Sequence, residues 1–393
     1  NRIAIGFNKD IAWTHTVSTA KRFTLYQLTL NPDNPYEYLF DGEYRAMEKR
    51  SVTVRVAAED GQPNEQEHTT YFTHFGPVLA SKVLPWNKLM AFAMRDAVVD
   101  NYLTAATYDA MAKAESTADV EASISQQGVY WTNTVAADRH GNAFYADISG
   151  TPNIDQALLE QCQIDLSDTM RGLILLRGDT SACEWYDDPS SKVPGTLPAD
   201  KMPRLTRGDY VSNSNDSYWL SNADSPLEGY SPVIGEERTA RSLRTRSGLT
   251  QLAELRARKD KFSTQDLRDM LNNQRNFGAE LLLDDALILC ADDDALQRVC
   301  AALQNWDRTM NVDSRGGHVW REFWRDARHI ENIFAQGFDL SNPVATPAGL
   351  NTADAGVRVQ IRQALLSAEK RLDGANIALD APLGEIQYAQ RNG

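Results

Sequence analysis

Ala12-Trp13-Thr14-His15-Thr16-Val17 closes a run of alternating apolar and polar residues that starts at Ile11, and a second such run covers 22–30. A two-residue period marks half-buried β-strands. Residues 36–40, 46–56 and 68–73 read as further strands, and Asp41-Gly42 and Asp60-Gly61 as hairpin turns. Residues 97–125 change to helical spacing through Ala97, Val98, Tyr102, Leu103, Ala106 and Met111. Residues 129–137 and 142–147 form a hairpin around Asp138-Arg139-His140-Gly141. Five prolines between 152 and 203 make 151–208 an irregular insertion, with one short helix near 154–161, before a strand resumes at 209–211. From 237 to 375 the pattern is helical, with a capping box at Ser263-Thr264-Gln265-Asp266 and helices near 277–290, 294–306, 319–335 and 355–372. Strands flanking a helical block predict an α+β fold rather than alternating βαβ units. The chain is thus read as 1–150 and 209–236 mainly β core, 151–208 insertion, 237–375 helical, and 376–393 the start of a further strand region. Residues 3–7 read as a buried strand and 384–389 as a strand entering a sheet. The expectation is a piece of a longer or processed protein.

Composition narrows the function classes. Among 393 residues, Lys plus Arg is 40 and Asp plus Glu is 54, a formal charge of −14. That balance argues against a nucleic-acid binder and against a polybasic membrane-surface protein. No apolar run approaches the length of a transmembrane helix. Eight Trp, 14 Tyr and 12 Phe point to a large core or an aromatic-lined pocket. The four cysteines fall into two local pairs across polar loops, Cys162 with Cys183 and Cys290 with Cys300. Four separate buried thiols would explain them too, but local pairing and even number predict two disulfides and a periplasmic or secreted protein. No CxxC, no Cys/His cluster and no ligand spacing among the six His points to a metal, and no cofactor motif is present. Asp292-Asp293-Asp294 suits a helix N-terminus better than a cation.

The usual hydrolase, phosphate-loop and zinc-protease motifs are absent. Two stretches could still carry chemistry: 12–17, at the end of an early strand, and Asn213-Ser214-Asn215-Asp216-Ser217. The second has the residues of an Asx-turn. It could equally present a side-chain amide at a strand end, as an oxyanion hole requires.

These stretches belong to an ordered set: Ile5-Gly6-Phe7, 12–17, Phe23-Thr24-Leu25-Tyr26, Gly76-Pro77, Arg95-Asp96-Ala97, Trp131-Thr132-Asn133-Thr134, Ala136-Ala137-Asp138, Gly141-Asn142-Ala143, 213–217, Ser231-Pro232 and Asn305-Trp306-Asp307. In order and rough spacing the set resembles the β-subunit of the penicillin acylase family of N-terminal nucleophile hydrolases, in the branch of the acyl-homoserine lactone acylases and related lipopeptide acylases. The resemblance implies a four-layer αββα sandwich, here partial, with a helical extension. It implies amide hydrolysis through an acyl-enzyme, on an N-acyl-homoserine lactone or similar fatty-acyl amide. The alternatives are a β-lactam or lipopeptide side-chain acylase, or a non-catalytic scaffold. The family's nucleophile is a Ser at the β-subunit N-terminus; no residue here matches it, so the chain alone is expected to be inactive. The implied partners are a small acyl-amide substrate and the α-subunit and remaining β-subunit segments of the same precursor.

By the same resemblance, Val17 matches the residue whose backbone N–H donates to the oxyanion and Asn215 the second, side-chain donor. Arg244 matches an Arg that orients the Asn, with Arg241 and Arg246 near enough to compete. Ile5, Thr16 and Trp131 match acyl-pocket positions. Ser18-Thr19-Ala20-Lys21 replaces the family's calcium-ligand Asp residues, so no metal is expected.

Overall fold

The alternating runs become strands in a computed structural model that describes residues 3–57, 63–166, 172–291 and 293–389. Asp60-Gly61 and Asp292 lie outside the described residues. The chain divides into two units, Asn1–Glu237 and Arg238–Gly393. The first contains β1 (Gly6–Phe7), β2 (Ile11–Val17), β3 (Phe23–Asn31), β4 (Asn34–Phe40), β5 (Glu43–Ala46), β6 (Glu48–Ala57), β7 (Pro63–Thr73), β8 (Gly76–Leu79) and β9 (Met90–Asp96). Helices α1 (Thr104–Met111) and α2 (Thr117–Ile124) follow, then β10 (Thr132–Asp138), β11 (Ala143–Ala146), α3 (Gln156–Cys162), β12 (Leu175–Arg177) and β13 (Arg204–Arg207). Among the described residues, one antiparallel sheet runs β1-β2-β10-β11-β13. A second runs β5-β4-β3-β9-β8-β7-β6, with β12 added parallel to β3. Asp41-Gly42 makes the two-residue β4–β5 turn with φ of 49° and 85°, the left-handed geometry such loops need.

Alternation places consecutive residues on opposite faces of a strand. Phe144 and Tyr145 of β11 are nonetheless both buried, so this sheet is covered on both sides at that point. One core joins Ile11 and Trp13 of β2, Tyr26 and Leu28 of β3, Phe144, and Met111, Val120 and Ile124 of the helices. The opposite face of β3 packs separately, with Leu25 against Phe92 and Leu175. Helices on strands over a second sheet give the layered α+β architecture expected of the sequence.

The second unit contains α4 (Leu243–Arg258), α5 (Thr264–Asn272), α6 (Phe277–Ile288), α7 (Gln297–Gln304), α8 (Gly317–Ala327), β14 (Phe334–Gln336), β15 (Ala348–Leu350), α9 (Ala355–Gly374) and α10 (Leu383–Ile386). Leu282, Leu303, Trp320, Phe323, Ile361 and Leu365 meet in its core. The capping box is present: Ser263 accepts from Asp266 N–H, and the Asp266 carboxylate accepts from Ser263 N–H. No helix among the described residues is long and apolar enough to cross a membrane.

Both predicted disulfides form, Cys162–Cys183 and Cys290–Cys300, with Cα separations of 5.5 and 6.0 Å. The bridged residues are 21 and 10 apart in sequence, and closing such loops restricts the unfolded chain and contributes about 3 kcal/mol each by loop entropy.

Four local readings are corrected. Residues 3–7 are not a buried strand: only Gly6–Phe7 pairs, at a sheet edge, and Ile3, Ile5 and Phe7 are exposed. Residues 209–211 form no strand. The strand comes earlier, at β13, and Asn222 instead fastens the Tyr210 carbonyl from its side chain. Residues 384–389 do not enter a sheet, because Pro382 precedes the short helix α10 with Leu383 buried. The helix expected over 319–335 stops at Ala327, and 334–336 pairs as β14 with β15.

Candidate active site

The ladder between β2 and β10 fixes where Val17 points. Ser18 N–H donates to Trp131 O, so the opposed pair Ser18–Trp131 is hydrogen-bonded and the next pair, Val17–Thr132, is not. The N–H of Val17 therefore points away from β10, toward the edge of the sheet that β1 covers at Ala12 and Trp13, while its C=O is reached by the Asn133 side chain of β10. At Val17 that edge is met by Asn215. Its side-chain nitrogen donates to the Val17 carbonyl at 3.3 Å and to Thr16 Oγ1. Val17 is 54% exposed and Asn215 is exposed as well, so this corner of the sheet is open.

Asn215 is held by its own loop. Its φ is +56°, a left-handed conformation that Asn tolerates better than most residues. Asn213 Oδ1 accepts from Asn215 N–H at 2.8 Å, and Asn213 Nδ2 donates to Asp216 O at 2.9 Å. The stretch is thus the Asx-turn its composition suggests, and that turn presents Asn215 to β2. Ser217 then caps the 3₁₀ turn Tyr218–Leu220.

A buried polar layer backs the end of β2. Asn133 Nδ2 donates to Asn213 Oδ1 at 3.2 Å and to Val17 O at 3.1 Å, and Tyr145 OH donates to Asn133 Oδ1 at 2.5 Å. Ser18 Oγ donates to Asp147 at 2.5 Å and Ser149 Oγ donates at 3.1 Å. Burial pushes the Asp147 carboxyl up to about 6, against the pull of those two hydroxyls. Sequence reasoning gave no role to Asn133, Tyr145 or Asp147. The available signal was an Asn at a strand position flanked by β-formers, where a buried polar group must find partners.

Of the remaining predicted residues, Thr16, Trp131 and Ile5 belong to β2 or to the segments just before its two neighbouring strands, and Arg244 belongs to the second unit. Thr16 is half-buried, with its hydroxyl on Asn215. Trp131 immediately precedes β10 and is 39% exposed, its ring N–H fixed to Ala20 O at 2.6 Å. Ile5, 62% exposed, immediately precedes β1 on the other side of β2. Arg244 is exposed in the first turn of α4, in the second unit. Arg246 is buried there and committed to Val344 O and Ala345 O at 2.7 and 2.8 Å, while Arg241 bonds Thr239. Among the described residues no three His, Cys, Asp or Glu side chains gather as metal ligands would.

The family model described as penicillin amidase matches residues 2–392. An acyl-homoserine lactone acylase PvdQ from Pseudomonas fluorescens is 35% identical over 399 residues, covering 100% of this chain and 51% of that relative. The aculeacin-A acylase of Actinoplanes utahensis is 36% identical over 383 residues, covering 92% of this chain and 48% of that relative. The chain thus spans about half the length of the curated relatives it matches. Among solved structures, a thermostable penicillin G acylase from Alcaligenes faecalis superposes with a TM-score of 0.62 at 18% identity, over 95% of this chain and 69% of that one. At that identity the likeness concerns the fold.

Proposed function

The chain belongs to the penicillin amidase family, and from that premise we propose that it supplies oxyanion stabilisation and acyl-chain contacts to an amide hydrolase working through an acyl-enzyme. The observation that carries this reading is the Asn215 carboxamide at the open edge of β2, beside Val17. When a nucleophile adds to an amide carbonyl, negative charge grows on the oxygen. Two fixed neutral donors lower that barrier. Val17 offers a backbone N–H and Asn215 a side-chain one, and neither ionises near neutral pH. At rest the Asn215 amide meets a hydroxyl and a carbonyl. An oxyanion accepts more strongly than either, so the contact gains strength as charge develops.

Arg244 is assigned the orienting role that the family resemblance gives it. Ile5, Thr16 and Trp131 are assigned to the acyl side, where the fixed Trp131 ring offers an apolar face. Relatives named for acyl-homoserine lactone and for aculeacin A support a fatty-acyl amide as the substrate class. Such a slot sorts chain lengths weakly, since one methylene is worth about 1–3 kcal/mol. The assigned partners are the α-subunit and the other β-subunit segments of the same precursor. The two disulfides support a periplasmic or secreted location.

The test is to give the purified processed protein a dodecanoyl-homoserine lactone, a fatty-acyl lipopeptide and a phenylacetyl penicillin. Release of free fatty acid from the first two is expected. Opening of the lactone ring with the amide intact, or turnover of none of the three, would overturn the reading.

A further inference from the structure

Asn133, the second residue of β10, is fully buried and sits opposite Thr16 in the β2–β10 ladder. Its side chain touches both halves of the corner described above. Nδ2 lies 3.1 Å from Val17 O, 3.4 Å from Thr16 O and 3.2 Å from Asn213 Oδ1. Val17 O and Thr16 O can only accept, so the nitrogen must occupy that end of the amide. The oxygen end accepts from Tyr145 OH at 2.5 Å, and Tyr145 is itself fully buried, on β11. The carboxamide is therefore clamped at both ends, and neither end can rotate without leaving a buried polar group unpaired.

Asn213 Oδ1 also accepts the N–H of Asn215, the bond that shapes the left-handed turn at that residue. One buried amide thus grips the carbonyl of Val17 and the side chain that sets the backbone of Asn215. These two positions are 198 residues apart in sequence. No covalent feature fixes the distance between them; the Asn133 bridge ties them together from behind, in addition to Asn215's own contacts with Val17 and Thr16.

Resting on the acyl-transfer reading, we infer that Asn133, backed by Tyr145, is a positioning residue that sets the spacing of the two oxyanion donors, Val17 N–H and Asn215 Nδ2. It touches neither substrate nor reacting atoms. A donor displaced by a fraction of an ångström still binds ground-state substrate but meets the oxyanion poorly. The charge on the ground-state carbonyl is small, so substrate binding barely registers the change.

Three variants of the intact processed protein test this on a fatty-acyl amide. Tyr145→Phe keeps the ring and removes the hydroxyl, which releases the oxygen end of the Asn133 carboxamide and the Tyr145 contact with the Asn213 side chain, and is expected to lower kcat about threefold to tenfold with KM nearly constant. Asn133→Ala is expected to lower kcat about tenfold or more, again with little change in KM. The readout a purely structural role would not move is the affinity for an alkylboronic acid, whose tetrahedral adduct carries the oxyanion. It should fall by the same factor as kcat, while the affinity for the corresponding fatty acid stays constant. Combined with Asn215→Ala, the Tyr145→Phe penalty should shrink, because there is one donor fewer to misplace. If Asn133→Ala fails to fold, Tyr145→Phe alone decides. Unchanged kcat and boronate affinity in Tyr145→Phe, or penalties fully additive with Asn215→Ala, would overturn the positioning role. If Asn215→Ala costs activity while these variants do not, only the positioning role is lost. If Asn215→Ala itself keeps full kcat, the acyl-transfer reading falls first.

Discussion

The loop at 213–217 and the acidic turn at 293–294 are both clusters of small polar residues leading into a 3₁₀ turn. Ser217 caps Tyr218–Leu220, and Asp293 caps Asp294–Leu296 by accepting from Ala295 N–H. Their further contacts differ in kind. Asn213 and Asn215 meet neutral amides, a hydroxyl and a strand carbonyl, with fully buried Asn133 among the partners. Asp293 meets the guanidinium of Arg362 at the surface. A solvent-screened ion pair tolerates many geometries and contributes little. A neutral network with a buried hub permits one arrangement, and fixed neutral donors are what stabilise a developing charge. Local capping is common to both stretches; what lies behind the cap separates them.

The largest expected effect tests the loop. Asn215→Ala should lower kcat roughly 10²–10³-fold with KM little changed. Asn215→Asp should be at least as harmful, because a carboxylate repels the oxyanion. Steady-state kinetics of the intact protein decide this, and a variant that loses KM but keeps kcat would make Asn215 a ground-state contact.

The buried layer behind the loop predicts a pH signature. The Asp147 carboxyl is held at about 6, above its ordinary 3.8, so the folded protein keeps a proton that the unfolded chain releases. Its contribution to stability is complete below pH 4 and is lost as pH rises through about 6, a change on the order of 3 kcal/mol. Asp147→Asn should flatten that part of the profile. Urea unfolding at a series of pH values measures it, and parallel profiles for the two proteins would contradict the assignment.

Beside the acidic turn, replacing Cys290 and Cys300 together by Ser should cost about 2.7 kcal/mol by loop entropy. The loss should appear in thermal unfolding, with kcat untouched; a matching fall in kcat would tie this turn to the site after all. The smallest effect is that of Asp293→Ala, which should lower Tm slightly and leave kcat unchanged. Were it to rival Asn215→Ala in kcat, the contrast between the two stretches would collapse.

Much of this protein was legible from short-range pattern. The alternation in 11–17 and 22–30 gave strands, Ser263 with Asp266 gave a capped helix, and the cysteine spacing gave two disulfides. Each depends on residues close in sequence, where backbone geometry leaves few outcomes. The boundaries that failed, at 209–211 and 384–389, depend on whether a neighbouring strand is available to pair. A single segment cannot report that.

By itself the sequence determined the α+β class, the family and the turn-forming chemistry of 213–217. Only the tertiary structure decided that this turn meets the end of β2, that Asn133 bridges the two, and that Arg246 is spent on the carbonyls of Val344 and Ala345 while Arg244 stays exposed. The physical reason is that a polar side chain carries the same donors and acceptors wherever it lies. What it does with them depends on which groups burial brings within about 3 Å of it.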